Sequence, residues 1–296
     1  MPDQTALTLA ALFEHSVSRF PGRAAVSFVS GTPMTYARLG EEVAKTRAAL
    51  RQLNVRPGDR VAILSGNMPN WAVAYFAITT MGAVAVPLLP DFHENEIATF
   101  LRHAGCDVLS VSAKLLPKIA SLDLPRLRSR ILLDSMELIE EDVRDVTAAR
   151  HTPVWKSSMG KQEAADVHED DLAVIIYTSG TTGKSKGVML THRNLTYNAT
   201  QVQTIQPVSE EDVFLSILPL SHTYENTLGL ILPVLNGASV YYLEKPPTAS
   251  ALLPALEAVR PTIMLSVPLV IEKVYRQRVL PEVAKSGLMR KISGTN

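Results

Sequence analysis

Cysteine and any excess of one charge are what this sequence lacks. Cys106 is the single cysteine among 296 residues, and 29 Lys and Arg balance 29 Asp and Glu. One cysteine excludes an internal disulfide framework and a cysteine-rich zinc cluster, which fits a reducing compartment, so we expect a cytoplasmic protein. The balanced charge gives no basic tail for nucleic acid, and we expect no nucleic-acid partner. An anionic ligand must therefore be held by a local site.

Charged side chains are also missing from residues 61–90, a stretch long enough to span a bilayer. Pro69, Gly82 and Pro87 interrupt it, so a buried strand, a helix and a second strand fit better, and a membrane span is the alternative. The amino terminus lacks the basic start of a secretory signal.

Strand and helix patterns alternate along the chain in two units of the same order. The first unit comprises a strand, a helix and a strand at Arg60–Leu64, Trp71–Met81 and Val84–Leu88; the second comprises the same elements at Asp212–Leu218, about 227–235 and Ser239–Leu243. Such alternation predicts an α/β fold with two similar α/β subdomains, whose mainly parallel sheets are flanked by helices. Residues 122–170 between the units are predicted to be a surface excursion and linker.

The segment TSGTTGKSKG, residues 178–187, follows a continuous apolar run that is typical of a strand buried on both faces. Its glycines let the backbone approach a ligand closely, its hydroxyls and amides donate to phosphate oxygens, and its lysines neutralise charge. We therefore predict a polyphosphate-binding loop. The alternative is a surface loop of Gly, Ser and Thr with two solvated lysines.

Three better-known loop patterns do not fit this segment. Gly183-Lys184-Ser185 matches the end of a Walker loop, but Thr178 stands where its first glycine should be. The dinucleotide pattern GxGxxG fails at the same position, and the GxSxG elbow around Ser179 fails because Tyr177 replaces its first glycine. The histidines show no metal-ligand spacing.

Several motifs resemble one family. YTSGTTGKSKGVMLTHRNL, residues 177–195, resembles the signature phosphate loop of the adenylate-forming superfamily, which includes acyl-CoA synthetases, peptide-synthetase adenylation domains and luciferases. LPLSHTYENTLG, residues 218–229, resembles the acyl-pocket motif of long-chain fatty-acid-CoA ligases. Segments 35–67 and 259–274 are similar to further parts of the family, so the resemblance covers nearly the whole chain.

The resemblance implies the amino-terminal part of the adenylate-forming fold. Residues 1–170 would form the first α/β subdomain with its linker, and residues 171–296 an α/β region with the phosphate loop and acyl pocket, incomplete at its carboxyl end. The implied reaction joins a fatty acid to ATP, with Mg²⁺, giving an acyl-adenylate and pyrophosphate, and then transfers the acyl group to coenzyme A. A ligase for another carboxylic acid, or a non-catalytic nucleotide- or acyl-binding module that acts through a partner, is the alternative.

The resemblance also assigns site residues. The residues implied to hold the β- and γ-phosphates are Thr178, Ser179, Gly180, Thr181, Thr182, Gly183 and Lys184. Lys186 and His222 are implied to be catalytic, with Lys184 or Lys186 compensating charge as pyrophosphate leaves. His222, Tyr224 and Glu225 would shape the acyl entrance, although Glu225 could equally anchor the loop to a basic residue. Asn226 departs from the arginine expected there in many long-chain members.

The family's remaining motifs do not occur before Asn296. By resemblance these are the adenine contact, the magnesium-binding glutamate, the ribose-binding aspartate, the hinge and the catalytic lysine of the carboxy-terminal domain. We therefore expect no turnover by these 296 residues alone. Because an interrupted fold leaves strand edges uncovered, we expect a homo-oligomer. Peripheral contact with a membrane, from which a fatty acid could be taken, is left open.

Overall fold

The computed structural model describes residues 7–140, 150–153, 166–178 and 185–281. Its strands are β1 (Ala24–Phe28), β2 (Met34–Thr35), β3 (Arg60–Leu64), β4 (Val84–Leu88), β5 (Val108–Val111), β6 (Ser129–Leu132), β7 (Glu137–Glu140), β8 (Arg150–Pro153), β9 (Leu172–Thr178), β10 (Lys186–Thr191), β11 (Val213–Ser216) and β12 (Ser239–Tyr242).

The α-helices are α1 (Leu9–Arg19), α2 (Tyr36–Gln52), α3 (Pro69–Thr80), α4 (Glu94–Ala104), α5 (His192–Val202), α6 (Thr223–Glu225), α7 (Leu232–Leu235), α8 (Ala249–Val259) and α9 (Pro268–Val274). A 3₁₀-helix covers Ala113–Ile119, and π-helices cover Asn226–Ile231 and Tyr275–Val279.

The described strands form two sheets. The larger has the order β10-β9-β4-β3-β5-β6-β7-β8, and the smaller has the order β11-β12-β1-β2. In the larger sheet β9, β4, β3, β5 and β6 are parallel, while β10, β7 and β8 pair antiparallel with their neighbours. In the smaller sheet β11, β12 and β1 are parallel. The α/β class with mainly parallel sheets flanked by helices is thus confirmed.

Helix α3 lies between the two sheets, and every residue from Trp71 to Thr80 is buried. On β3, Val61 and Ile63 belong to the same apolar cluster as α3, whereas Ala62 and Leu64 belong to the cluster under α4 on the opposite face. A helix apolar all round suits a layer covered on both sides, which explains why residues 61–90 carry no charge. Among the residues that the structure describes, each helix is either too short or too polar to span a bilayer.

The two units predicted from the sequence adopt the same local geometry. Both helical segments end at a glycine with positive φ, +79° at Gly82 and +75° at Gly237, where a side chain would be strained. The first backbone amide of the second strand then bonds back to the residue before the first strand, from Val84 N to Asp59 O at 2.8 Å and from Ser239 N to Asp212 O at 3.1 Å.

Two expectations differ from the structure. Each sheet takes strands from both sides of the expected boundary at residue 170, because β9 and β10 join the larger sheet and β1 pairs with β12. The described residues between 122 and 170 also form more than a surface excursion, since β6, β7 and β8 extend the larger sheet. Pairing between residues distant in sequence decides the first point, and local patterns do not indicate such pairing. For the second point, β7 pairs with strands nearby in the chain, and polar residues obscured the strand pattern.

Candidate functional site

The carboxyl ends of the parallel strands define the candidate site. Because β9, β4, β3 and β5 are parallel, the segments that follow them emerge at one edge of the larger sheet. Ligands of open parallel sheets bind at this edge, where loops supply backbone amides and side chains. The segment after β9 is the predicted phosphate loop.

Strands β9 and β10 form an antiparallel pair that ends at this edge. Thr178 pairs with Lys186, and both side chains are exposed. At the base of the loop the structure therefore brings together one hydroxyl side chain that was predicted to bind phosphate and one lysine that was predicted to neutralise its charge. The other predicted phosphate-binding residues lie outside the described residues: Ser179, Gly180, Thr181, Thr182, Gly183 and Lys184.

Tyr177 anchors the base of the loop to α4. Its ring stacks on Phe100 with centroids 4.2 Å apart, and its hydroxyl lies 2.7 Å from Nδ1 of His103. Burial raises the pKa of Tyr177 to about 12, with a further rise from Cys106. No role for Tyr177 or His103 was predicted from the sequence, because a long-range ring contact leaves no local pattern.

His222 precedes the first turn of α6. Its backbone is extended, with φ −93° and ψ 137°, and its Nδ1 accepts a hydrogen bond from Tyr224 N at 3.3 Å. An acceptor at Nδ1 requires the neutral ring to carry its proton on Nε2. His222 is exposed and Tyr224 is 40 % exposed, so both side chains can meet a ligand.

Glu225 instead points into the interior and is 1 % exposed. Its Oε1 accepts a hydrogen bond from Ser216 Oγ at 2.5 Å, while Oε2 has no hydrogen-bond partner among the described residues. Burial raises the pKa of Glu225 to about 8, against the lowering effect of the Ser216 bond. The ion pairs of the described residues do not include Glu225, so it contacts Ser216 and not the basic residue that was the alternative.

Asn226 occupies the position where an arginine was expected, and it is fully buried. Its Oδ1 accepts a hydrogen bond from Tyr75 of α3 at 3.0 Å. The π-helix that begins at Asn226 brings Gly229 against Glu225, where a Cβ would lie 2.7 Å from the carboxyl carbon. Leu230 and Ile231 of the same segment pack in the core between the sheets.

Metal binding was predicted from the resemblance alone, with the Mg²⁺ ligand beyond residue 296. In the described ranges no group of three His, Cys, Asp or Glu residues could hold a metal ion. We therefore assign no Mg²⁺ ligand to these residues.

Comparison with known proteins places this geometry in a family. The family model described as AMP-binding enzyme matches residues 13–294. The chain belongs to the AMP-binding enzyme family. The match confirms the resemblance carried by residues 177–195, and it extends over both sheets of this AMP-binding enzyme.

Individual relatives differ in the acids that their names give. A feruloyl-CoA synthase of Amycolatopsis sp is 32 % identical over 82 % of this chain and 45 % of its own length. A long-chain-fatty-acid–CoA ligase of Rattus norvegicus is 28 % identical over 97 % of this chain and 45 % of its own length. The chain therefore spans about half the length of the curated relatives it matches.

Solved structures support the fold. The fatty acyl CoA synthetase of Mycobacterium tuberculosis superposes with a TM-score of 0.79, at 22 % identity, over 95 % of this chain and 53 % of that one. At this identity the likeness bears on the fold alone.

Proposed function

We propose that this AMP-binding enzyme acts in the ATP-dependent activation of a fatty acid and its transfer to coenzyme A. The observation that carries the proposal is the pairing of Thr178 with Lys186 at the base of the TSGTTGKSKG loop, at the carboxyl edge of the larger sheet. Family membership and the acyl-pocket motif at residues 218–229 support it.

In the proposed first step, a carboxylate oxygen of the acid attacks the α-phosphorus of ATP, and the bond to pyrophosphate breaks. Thr178 and the loop residues up to Lys184 bind the β- and γ-phosphates, and Lys186 offsets the charge that develops on the leaving pyrophosphate. Such transfers depend on positioning and on electrostatic stabilisation, so no protein nucleophile is required. Mg²⁺ bound with ATP supplies further neutralisation of the phosphate charge.

In the proposed second step, the thiol of coenzyme A attacks the acyl carbon, a thioester forms, and AMP leaves. The thiol proton passes to solvent. His222 and Tyr224, which are exposed at the start of α6, border the acid in this scheme.

An aromatic acid is the second candidate substrate. The feruloyl-CoA synthase relative has the higher identity of the two, whereas the fatty-acid ligase relative covers more of this chain. The resemblance of LPLSHTYENTLG to long-chain ligases favours the fatty acid.

Exchange of labelled pyrophosphate into ATP tests the function, using the protein as its gene encodes it and a panel of palmitate, octanoate, benzoate and ferulate. We expect exchange that depends on palmitate or octanoate. Exchange with only ferulate or benzoate would show that the substrate is an aromatic acid and not a fatty acid. ATP binding without exchange for any acid would favour the non-catalytic module.

Substitution of Lys186 tests its assigned role. Because removal of one group that stabilises developing charge typically costs about 10²-fold, we expect Lys186→Ala to lower the exchange rate by about that factor. Lys245→Ala, at an exposed position after β12, is the matched control and should leave the rate unchanged. Equal rates in the two variants would remove Lys186 from the site.

A further inference from the structure

The side chain of Asn67 joins the two strand-helix-strand units. Asn67 lies in the turn between β3 and α3, and its Nδ2 donates hydrogen bonds to Ser216 Oγ at 3.0 Å and to Leu218 O at 2.6 Å. Its Oδ1 accepts a hydrogen bond from Leu220 N at 2.9 Å. One amide from the first unit thus holds the loop that follows β11 in the second unit.

That loop leads directly to His222. The backbone amide of His222 donates to Pro219 O at 2.9 Å, and Asn226 N donates to His222 O at 2.9 Å. Pro219 lies between the two residues whose backbone Asn67 binds. The position of His222 therefore follows from where Asn67 holds the loop.

Asn67 also reaches the far side of His222 through Ser216. Ser216 Oγ accepts from Asn67 and donates to Glu225 Oε1 at 2.5 Å. Ser216 and Glu225 are both buried, which shields these bonds from competing water. The chain Asn67–Ser216–Glu225 thus fixes the residues before and after His222.

The chemistry of the side chain explains why asparagine suits this position. Its amide supplies two donor hydrogens and an acceptor on a short stem, and all three contacts use them. Aspartate keeps the acceptor oxygen for Leu220 N but loses both donors. Alanine loses every contact without placing a charge among backbone carbonyls.

We infer that Asn67 is a positioning residue that holds the loop 217–222, and with it His222, in the geometry that the carboxylic acid requires. The inference rests on the proposed function of His222 at the acid. It predicts that Asn67 variants change the KM for the acid and leave the KM for ATP unchanged.

Asn70 provides a matched control. It is half-buried like Asn67 and lies in the same segment, but its Nδ2 donates to Leu133 O at 2.6 Å and Asp134 O at 3.3 Å within the first unit. Loss of either side chain removes comparable bonds to backbone. An effect on stability alone should therefore be similar for Asn67→Ala and Asn70→Ala.

The experiment compares Asn67→Asp, Asn67→Ala and Asn70→Ala in the protein as its gene encodes it. We expect both Asn67 variants to raise the KM for the acid about tenfold, since small displacements of a positioned group have effects of this size or larger. The KM for ATP should stay within about twofold, and Asn70→Ala should leave both constants unchanged. If Asn67→Asp does not fold, Asn67→Ala alone is compared with the control.

A second measurement does not depend on activity. The NMR chemical shifts of the His222 ring protons, recorded at one pH, should change in the Asn67 variants and match the wild type in Asn70→Ala. If neither the acid KM nor these chemical shifts distinguish Asn67 from Asn70, the inference is wrong while the proposed function stands. If the wild type exchanges pyrophosphate with no acid, the proposed function fails, and the chemical shifts alone decide whether Asn67 holds the loop.

Discussion

At the scale of single residues, Glu225 is the side chain whose environment departs most from what its motif implies. The resemblance implied that Glu225 helps to shape the acyl entrance or anchors the loop to a basic residue. The structure buries Glu225 between Ser216, which lies outside the motif, and Gly229, which is the last residue of the motif. The residue type was predictable from the motif, but the direction of its side chain was not, because Ser216 belongs to a different element.

The raised pKa of Glu225 makes stability depend on pH. In the folded protein the pKa is about 8, above the ordinary value of 4.5, so folding favours the protonated acid. This contribution is fully present below pH 4.5 and is lost as pH rises through 8. Between pH 5 and pH 8 the loss amounts to about 3 kcal/mol by linkage.

Glu225→Gln tests this dependence, because glutamine imitates the neutral acid and can still accept from Ser216. We expect the free energy of unfolding in urea to fall less between pH 5 and pH 8 in Glu225→Gln than in the wild type. Glu257→Gln, at an exposed position on α8, is the control and should follow the wild type. Parallel pH profiles for all three proteins would show that Glu225 is ionised in the folded state.

At the scale of elements, the π-helix Asn226–Ile231 depends on a close contact. A Cβ on Gly229 would lie 2.7 Å from the carboxyl carbon and from Oε1 of Glu225. A π-helix inside a helical segment is rare and often marks a functional site. Here it turns Glu225 towards Ser216 directly after His222 and Tyr224, which remain at the surface.

We expect Gly229→Ala to lower the free energy of unfolding by about 1 to 3 kcal/mol, the usual cost of overpacking a filled interior. The sign is informative, because alanine in place of glycine within a helix normally stabilises by about 1 kcal/mol. Gly22→Ala, where a Cβ would meet nothing within 4 Å, is the control. Urea denaturation measures both, and a stabilised Gly229→Ala would contradict the contact.

Elements with strong local signals were predictable, and those that depend on distant pairing were not. The bounds Arg60–Leu64 and Val84–Leu88 agree with the structure because both strands are apolar runs ended by turn residues. Strands β7 and β8 were missed, since polar residues such as Glu137 and Arg150 interrupt their patterns. For the site, the sequence indicated the loop after β9 and His222 but not Asn67. The residues around Asn67 indicate a turn and say nothing about the distant groups that its side chain binds.

At the scale of the whole molecule, His192 ties the amino-terminal helix to the middle of the chain. It is fully buried at the start of α5, and its Nδ1 accepts a hydrogen bond from Leu9 N of α1 at 3.2 Å. Burial lowers the pKa of His192 to about 4, against the opposing effect of Asp171. The folded protein therefore favours the neutral ring.

This depressed pKa adds a pH dependence of opposite sign to that of Glu225. The contribution of His192 is fully present above the ordinary value of 6.5 and is lost as pH falls towards 4, by about 2 kcal/mol between pH 7 and pH 5. We expect His192→Gln to lack this acid-induced loss in urea denaturation, whereas His15→Gln, at an exposed position, should keep it. If the free energy of unfolding of His192→Gln still falls between pH 7 and pH 5 as it does in the wild type, other groups cause this loss of stability.

The pairing of β1 with β12 has a consequence for how the chain is made. Helix α3 is apolar on every side, yet the smaller sheet that covers one of its faces is incomplete until Tyr242 has left the ribosome. Until then that face has no native cover, and exposed apolar surface of this kind favours aggregation of nascent chains. The amino-terminal part of the chain therefore reaches its native packing only after β12 has been synthesised.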